Sequence, residues 1–132
     1  MAFDLVTNLT NTPSDFSSEY LALFDAIACD LRRDGYSIQS HALPKVLIDE
    51  LRETLLTFGP EQFKQAGVGR ARQHMANSSI RSDEISWIES HSGAQGRWLD
   101  FSAQLQGYLN RALMLGLFSF ESHFAHYAPG AF

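Results

Sequence analysis

The chain has 132 residues, 45% of them hydrophobic, with ten basic against fifteen acidic side chains and a formal charge of −5. That length fits one domain able to bury roughly two-thirds of its unfolded surface. The acidic balance, with no clustered basic face, excludes nucleic-acid backbone as the main ligand, because phosphate binding needs such a face. The single cysteine, Cys29, excludes a disulfide framework and a thiolate metal cluster. It falls within an apolar helical pattern and is read as a small buried hydrophobe. The N-terminus MAFDLVTNLT has no basic region followed by an apolar run, and no apolar stretch is long enough to span a bilayer. These features point to a soluble protein of a reducing compartment, the cytoplasm, with no membrane partner.

Residues 1–14 are polar and broken by Pro13, which predicts a flexible N-terminal arm; residues 15–132 form the domain proper. From Ser17 the pattern becomes helical. Tyr20, Phe24, Ile27, Ala28 and Leu31 share one face, Ser17 or Ser18 can cap the start, Arg32 and Arg33 suit the negative end, and Gly35 can close it. Tyr36 to Ser40 reads as a short strand, and Pro44 opens a second helix whose face is Leu47, Ile48, Leu51, Leu55 and Phe58, ended by Gly59 and Pro60.

Between Gly67 and Ser90 the helical period gives way to two strand-like stretches, GVGRARQH and EISWIES. In the second, Ile85 and Trp87 fall on one face, Ser86 and Ile88 on the other. The polar MANSSIRSD between them is long for a tight hairpin and reads as an exposed loop of the kind that carries function. Arg70, Arg72 and Arg81 cluster here as a local patch. A third helix runs from about Gly96 to Leu115, with Trp98, Phe101, Leu105, Leu109 and Ala112 inward and Gly116 as terminator. Phe118 to His126 then alternates as a strand and meets a Pro-Gly turn.

The histidines give no metal motif. His123 and His126 would share a face on a helix, but in a strand they point to opposite faces and cannot chelate one ion together. His41, His74 and His91 lie in polar surroundings without matched carboxylate or thiolate spacing. No Gly-x-Ser-x-Gly elbow supports nucleophilic catalysis. On residue type alone, Trp87 reads as core, Tyr127 as a strand-end tyrosine with a wet hydroxyl, and Arg81 with Asp83 as a solvated surface pair.

Three stretches together bring a family into view. IRSDEISWIES (Ile80 to Ser90) resembles the Ile-Arg-Gly-Asp-x-Ile-x-Trp strand of prolyl-hydroxylase-like 2-oxoglutarate/Fe(II) oxygenases. LNRALMLGLFSFESHFAHYAPGAF (Leu109 to Phe132) resembles the helix and first barrel strand that precede their iron motif, and DGYSIQSHALP (Asp34 to Pro44) the opening strand and helix start. The resemblance implies an α+β fold: supporting helices packed on the first strands of an incomplete double-stranded β-helix, or jelly roll. It implies Fe(II) and 2-oxoglutarate as cofactors of the complete domain and a prolyl residue of a protein or peptide as substrate. Tyr127 matches the family tyrosine that binds the co-substrate; Arg81, Asp83 and Trp87 match residues that shape the substrate entrance. The family glycine between Arg81 and Asp83 is Ser82 here, a residue that resists conformations open to glycine.

The family's iron ligands are a His-x-Asp pair shortly after the turn and a distant second histidine, and a basic residue binds the co-substrate. No His-x-Asp occurs in these residues. The resemblance therefore places this chain in the N-terminal part of such a domain, expected to bind neither cofactor tightly and to be inactive by itself. The alternative reading is a non-catalytic binding module whose unfinished sheet edge, at Phe118 to His126, recruits a partner, a second copy or a swapped strand.

Overall fold

The computed structural model describes residues 18–68, 75–76 and 82–132. The elements in chain order are α1 (Leu21–Asp34), α2 (Lys45–Leu56), a 3-10 turn (Pro60–Gln62), β1 (Lys64–Gln65), β2 (Gly67–Val68), β3 (Met75–Ala76), β4 (Glu84–Trp87), α3 (Gly93–Leu113) and β5 (His123–His126). The chain divides into two compact units. One comprises Met1–Ala42 with Gln104–Leu117, the other Leu43–Ala103 with Phe118–Phe132. The N-terminal arm read from the sequence lies outside the described residues.

In the first unit, the apolar spacing of α1 buries Phe24 and Ala28. The Phe24 ring packs against Tyr108 of α3, with centroids 5.7 Å apart. Ser17 is outside the described residues and Ser18 makes no cap; α1 begins at Leu21 without a side-chain cap. Its other end follows the sequence pattern: Gly35 takes φ 81° and its N–H donates to the Leu31 carbonyl at 3.1 Å. Arg32 in the last turn donates to the Ala112 carbonyl at 2.8 Å. Cys29 is exposed, not buried, because it falls one position past Ala28 and so off the buried stripe of α1.

Tyr36 to Ser40 forms no strand. Its alternation survives, with Tyr36 and Ile38 outward, but Ser37 and Gln39 donate to one Asp30 carboxylate oxygen at 2.7 and 2.8 Å instead of lining a ladder. Helix α3 ends before Gly116. Met114 adopts the left-handed φ of 55°, and the Asn110 side chain both donates to and accepts from the Leu117 backbone at 2.8 Å. An amide that closes the turn from within the helix makes a terminal glycine unnecessary.

In the second unit, Pro44 sits just before α2, whose inward face buries Leu47 while Ile48 stays exposed. The Gln62 side chain accepts from the Gly59 N–H at 2.7 Å and fixes the turn that leads to the sheet. The first half of α3 begins at Gly93, earlier than its apolar face suggests, and buries Ala94, Gly96 and Phe101. Gly96 has to be glycine: a Cβ there would stand 2.7 Å from the His91 carbonyl group. Trp98 stacks on Phe101 at 5.6 Å.

The sheet is antiparallel in the order β1-β4-β5, with β2 and β3 forming a separate two-stranded ladder. Strand β5 is shorter than its sequence alternation, because pairing starts at Trp87↔His123; Phe118 is 94% exposed. Of GVGRARQH only Gly67 and Val68 are described, and of the functional loop only Met75 and Ala76, both in β3, and Ser82 and Asp83. Among the described residues no helix is long and apolar enough to cross a membrane.

Candidate functional site

The β4-β5 register sorts side chains onto two faces. Glu84↔His126 and Ser86↔Phe124 share one; Ile85↔Ala125 and Trp87↔His123 share the other. His123 and His126 therefore lie on opposite faces.

On the first face Phe124 is half-buried among aromatic rings, while Glu84 and His126 are exposed. Phe58, just beyond α2, meets Phe124 edge-on at 5.5 Å and 89°, and Phe63 lies 6.1 Å from Phe58 and 5.9 Å from the His126 ring. His126 Nδ1 stands 3.4 Å from the Glu84 carboxylate, an exposed contact of little energetic weight.

The second face is buried at Ile85 and open at its Trp87-His123 end. Trp87 and His123 meet at 5.4 Å and 82°, Trp87 is 45% exposed, and Tyr127, two positions past Ala125, is 55% exposed. Trp87 is thus no core residue, as its alternation with Ile85 suggests. Ile85 is covered, but the neighbouring position on the same face is not. Exposed large aromatics next to a histidine on a rigid ladder make a surface suited to recognition.

Just before β4, Asp83 is completely buried, which overturns its reading as half of a solvated pair. Its carbonyl accepts the Ala66 N–H at 2.9 Å, tying β4 to the residue that follows β1. A carboxylate withdrawn from water persists only where hydrogen bonds or a cation match it, and Asp83 is not without a partner. Arg81 lies outside the described residues.

Ser82 does work that residue-type reasoning missed. Its N–H donates to the Phe132 main-chain oxygen at 2.8 Å, and its hydroxyl accepts the Phe132 N–H at 3.0 Å. Among the described residues the only non-glycine positions with positive φ are His41 and Met114, so Ser82 needs no glycine-like backbone. The pair of bonds returns the turn after Tyr127, closed by Ala131 N–H to the Ala128 carbonyl at 2.8 Å, to the start of β4. Only a hydroxyl at this position, absent from the family pattern, could have signalled the clamp in advance.

Helices beside a small antiparallel sheet make an α+β fold, and it is similar to that of a prolyl-4-hydroxylase. The crystal structure of a Pseudomonas putida prolyl-4-hydroxylase matches with a TM-score of 0.63 and 31% identity, over 83% of this chain. The chain spans 57% of that protein's length. No family model matches, and no curated protein is similar.

Among the described residues no three His, Cys, Asp or Glu side chains come together to hold a metal ion. The described residues do not fit an iron centre.

Proposed function

We propose that this chain is the N-terminal part of a 2-oxoglutarate- and Fe(II)-dependent dioxygenase, a protein prolyl hydroxylase of the cytoplasm, whose β4-β5 ladder begins a jelly-roll barrel. The carrying observation is the open Trp87-His123 face on a fold shared, at 31% identity, with a prolyl-4-hydroxylase. In this reading Tyr127 donates its hydroxyl to a 2-oxoglutarate carboxylate, Trp87 lines the substrate entrance, and Arg81 and Asp83 shape the adjoining junction. The chain supplies the scaffold and recognition surface; iron ligation comes from residues it does not contain, so by itself it does not turn over.

The test uses the complete reading frame that encodes this segment. Given Fe(II), 2-oxoglutarate and a proline-containing peptide, that protein should release succinate, and Tyr127→Phe should raise the KM for 2-oxoglutarate by about tenfold, the loss of one charge-assisted hydrogen bond. Sustained succinate release by residues 1–132 without another polypeptide would refute the division of labour. No release by the complete protein would refute the oxygenase reading.

A second reading, a module that recruits a partner by strand addition, is favoured by the place of β5 at the end of the sheet order, with β4 its sole neighbour among the described residues. Light scattering separates the two: a clean monomer at high concentration removes self-assembly through that edge.

A further inference from the structure

At the β5-proximal end of the open face lies a cleft of about 220 Å³, lined by Trp87, Ile88, Glu89, Leu99, Phe120 and Glu121. Cavities that take whole small-molecule ligands measure about 300–1,000 Å³, so this one accommodates a single side chain. Ile88, buried, and Leu99, half-buried, are its least exposed apolar lining residues and so the floor an occupant would reach, and the Ile88 N–H donates to the Ser122 carbonyl at 2.8 Å, which ties the two lining segments together. Trp87 and Phe120, 45% and 39% exposed, form aromatic sides.

Among the described residues its lining carries two carboxylates and no base. Glu89 and Glu121 are both exposed, and neither forms an ion pair among the described residues. An occupant must therefore have an apolar stem long enough to reach the floor, and it gains most if it ends in positive charge. A cation beside an indole or phenyl face is attracted by the ring quadrupole, and a neighbouring carboxylate adds to that attraction. Lysine and arginine have this build: an aliphatic stem that covers apolar surface below a charged head.

We propose that the cleft takes a lysine or arginine side chain of a polypeptide lying across the Trp87-His123 face, so that the bound segment carries a basic residue. That this polypeptide is a hydroxylation substrate rests on the oxygenase reading; the binding itself does not.

The experiment uses the full chain carrying Trp98→Phe, so that fluorescence reports Trp87 alone; phenylalanine preserves the ring stack on Phe101. Three short capped peptides, Gly-Pro-Lys-Pro-Gly and the same sequence with norleucine or glutamate in place of lysine, are titrated without iron or 2-oxoglutarate. The lysine peptide should perturb Trp87 saturably and bind roughly tenfold tighter than the norleucine peptide, the sum of a cation-π contact and two screened charge contacts. The Glu89→Gln/Glu121→Gln double variant should reduce the lysine peptide to the norleucine level and leave the norleucine peptide unchanged. Both sites are exposed, so the fold is not at risk, and circular dichroism checks it.

Equal binding of lysine and norleucine peptides, undiminished binding to the double variant, or no effect of any peptide on Trp87 would each overturn the proposal. A Trp87 signal that changes with protein concentration alone would do the same, by naming a second copy as the occupant. Because no cofactor is present, failure here leaves succinate release by the complete protein unaffected, and the reverse holds.

Discussion

Phe124→Ala tests how the open face is held in place. Phe124 lies on the reverse of the ladder, half-buried, with its ring 5.5 Å from Phe58 at 89°. Full burial of a phenylalanine is worth about 1.5–3 kcal/mol, so half burial contributes about 1–1.5 kcal/mol on the same scale. The edge-to-face contact adds about 0.5–1.5 kcal/mol. The variant should therefore lose about 1.5–3 kcal/mol, which for a chain of this size lowers Tm by about 5–15 °C. Phe118→Ser is the internal control: at 94% exposure it should change stability by less than about 0.5 kcal/mol. Thermal unfolding followed by circular dichroism gives Tm, and tryptophan fluorescence in a Trp98→Phe background reports whether Trp87 loosens from His123 as β5 loses its anchor. If the two variants melt within a degree or so of each other, the Phe58-Phe63-Phe124 cluster does not anchor the sheet and the support assigned to it is wrong.

Asp83→Ala removes a fully buried carboxylate and should destabilise by about 3–5 kcal/mol in urea titration, the range for breaking a buried charged contact; a loss below about 1 kcal/mol would mean that water still reaches the group. Gly35→Ala should cost about 1–2 kcal/mol, wholly from the φ of 81°, since nothing lies within 4 Å of the added Cβ, whereas Gly116→Ala, also in open space but without positive φ, should be neutral or slightly stabilising. Burial, then the hydrogen bond donated to Asp25 at 3.1 Å, raises the Tyr108 hydroxyl above its ordinary value of 10.0. Because the folded value exceeds the unfolded one, the stability tied to this group is complete below the ordinary tyrosine range and is lost as pH rises through the folded value. A tyrosinate absorbance titration should show this late ionisation move down in Asp25→Asn, and an unmoved titration would sever the link.

Helices were the legible part of the sequence, because a stripe at 3.6-residue spacing marks the buried face without reference to anything distant. Phe24, Ala28, Leu47 and Phe101 were all readable this way and all are buried. Strands were read less well, since a strand requires a partner as well as a pattern. Tyr36 to Ser40 alternates correctly yet bonds to Asp30, and the alternation of Phe118 to His126 extends well beyond its pairing with β4. Helix ends depended on side chains that no terminator rule covers, as Asn110 shows at the end of α3.

The same limit explains why Trp87 and Asp83 were misread on residue type, and why the site lies where it does. Alternation divides a strand into two faces but does not say which one is covered; that is decided by residues remote in sequence. Here Phe58 and Phe63 pack against Phe124 and His126 on one face, and on the other Ile85 is buried while Trp87 and His123 stay exposed. Leaving a tryptophan 45% exposed forfeits part of the roughly 25 cal/mol per Å² that its burial would return. The charged Asp83, by contrast, is removed from water at a larger electrostatic penalty. Both placements run against the partition that packing alone favours, and they occur within five residues of one another, 83–87. Departures of this kind concentrate where a surface is shaped for a ligand, which makes the start of β4 and the face it presents the place to look for what this protein binds.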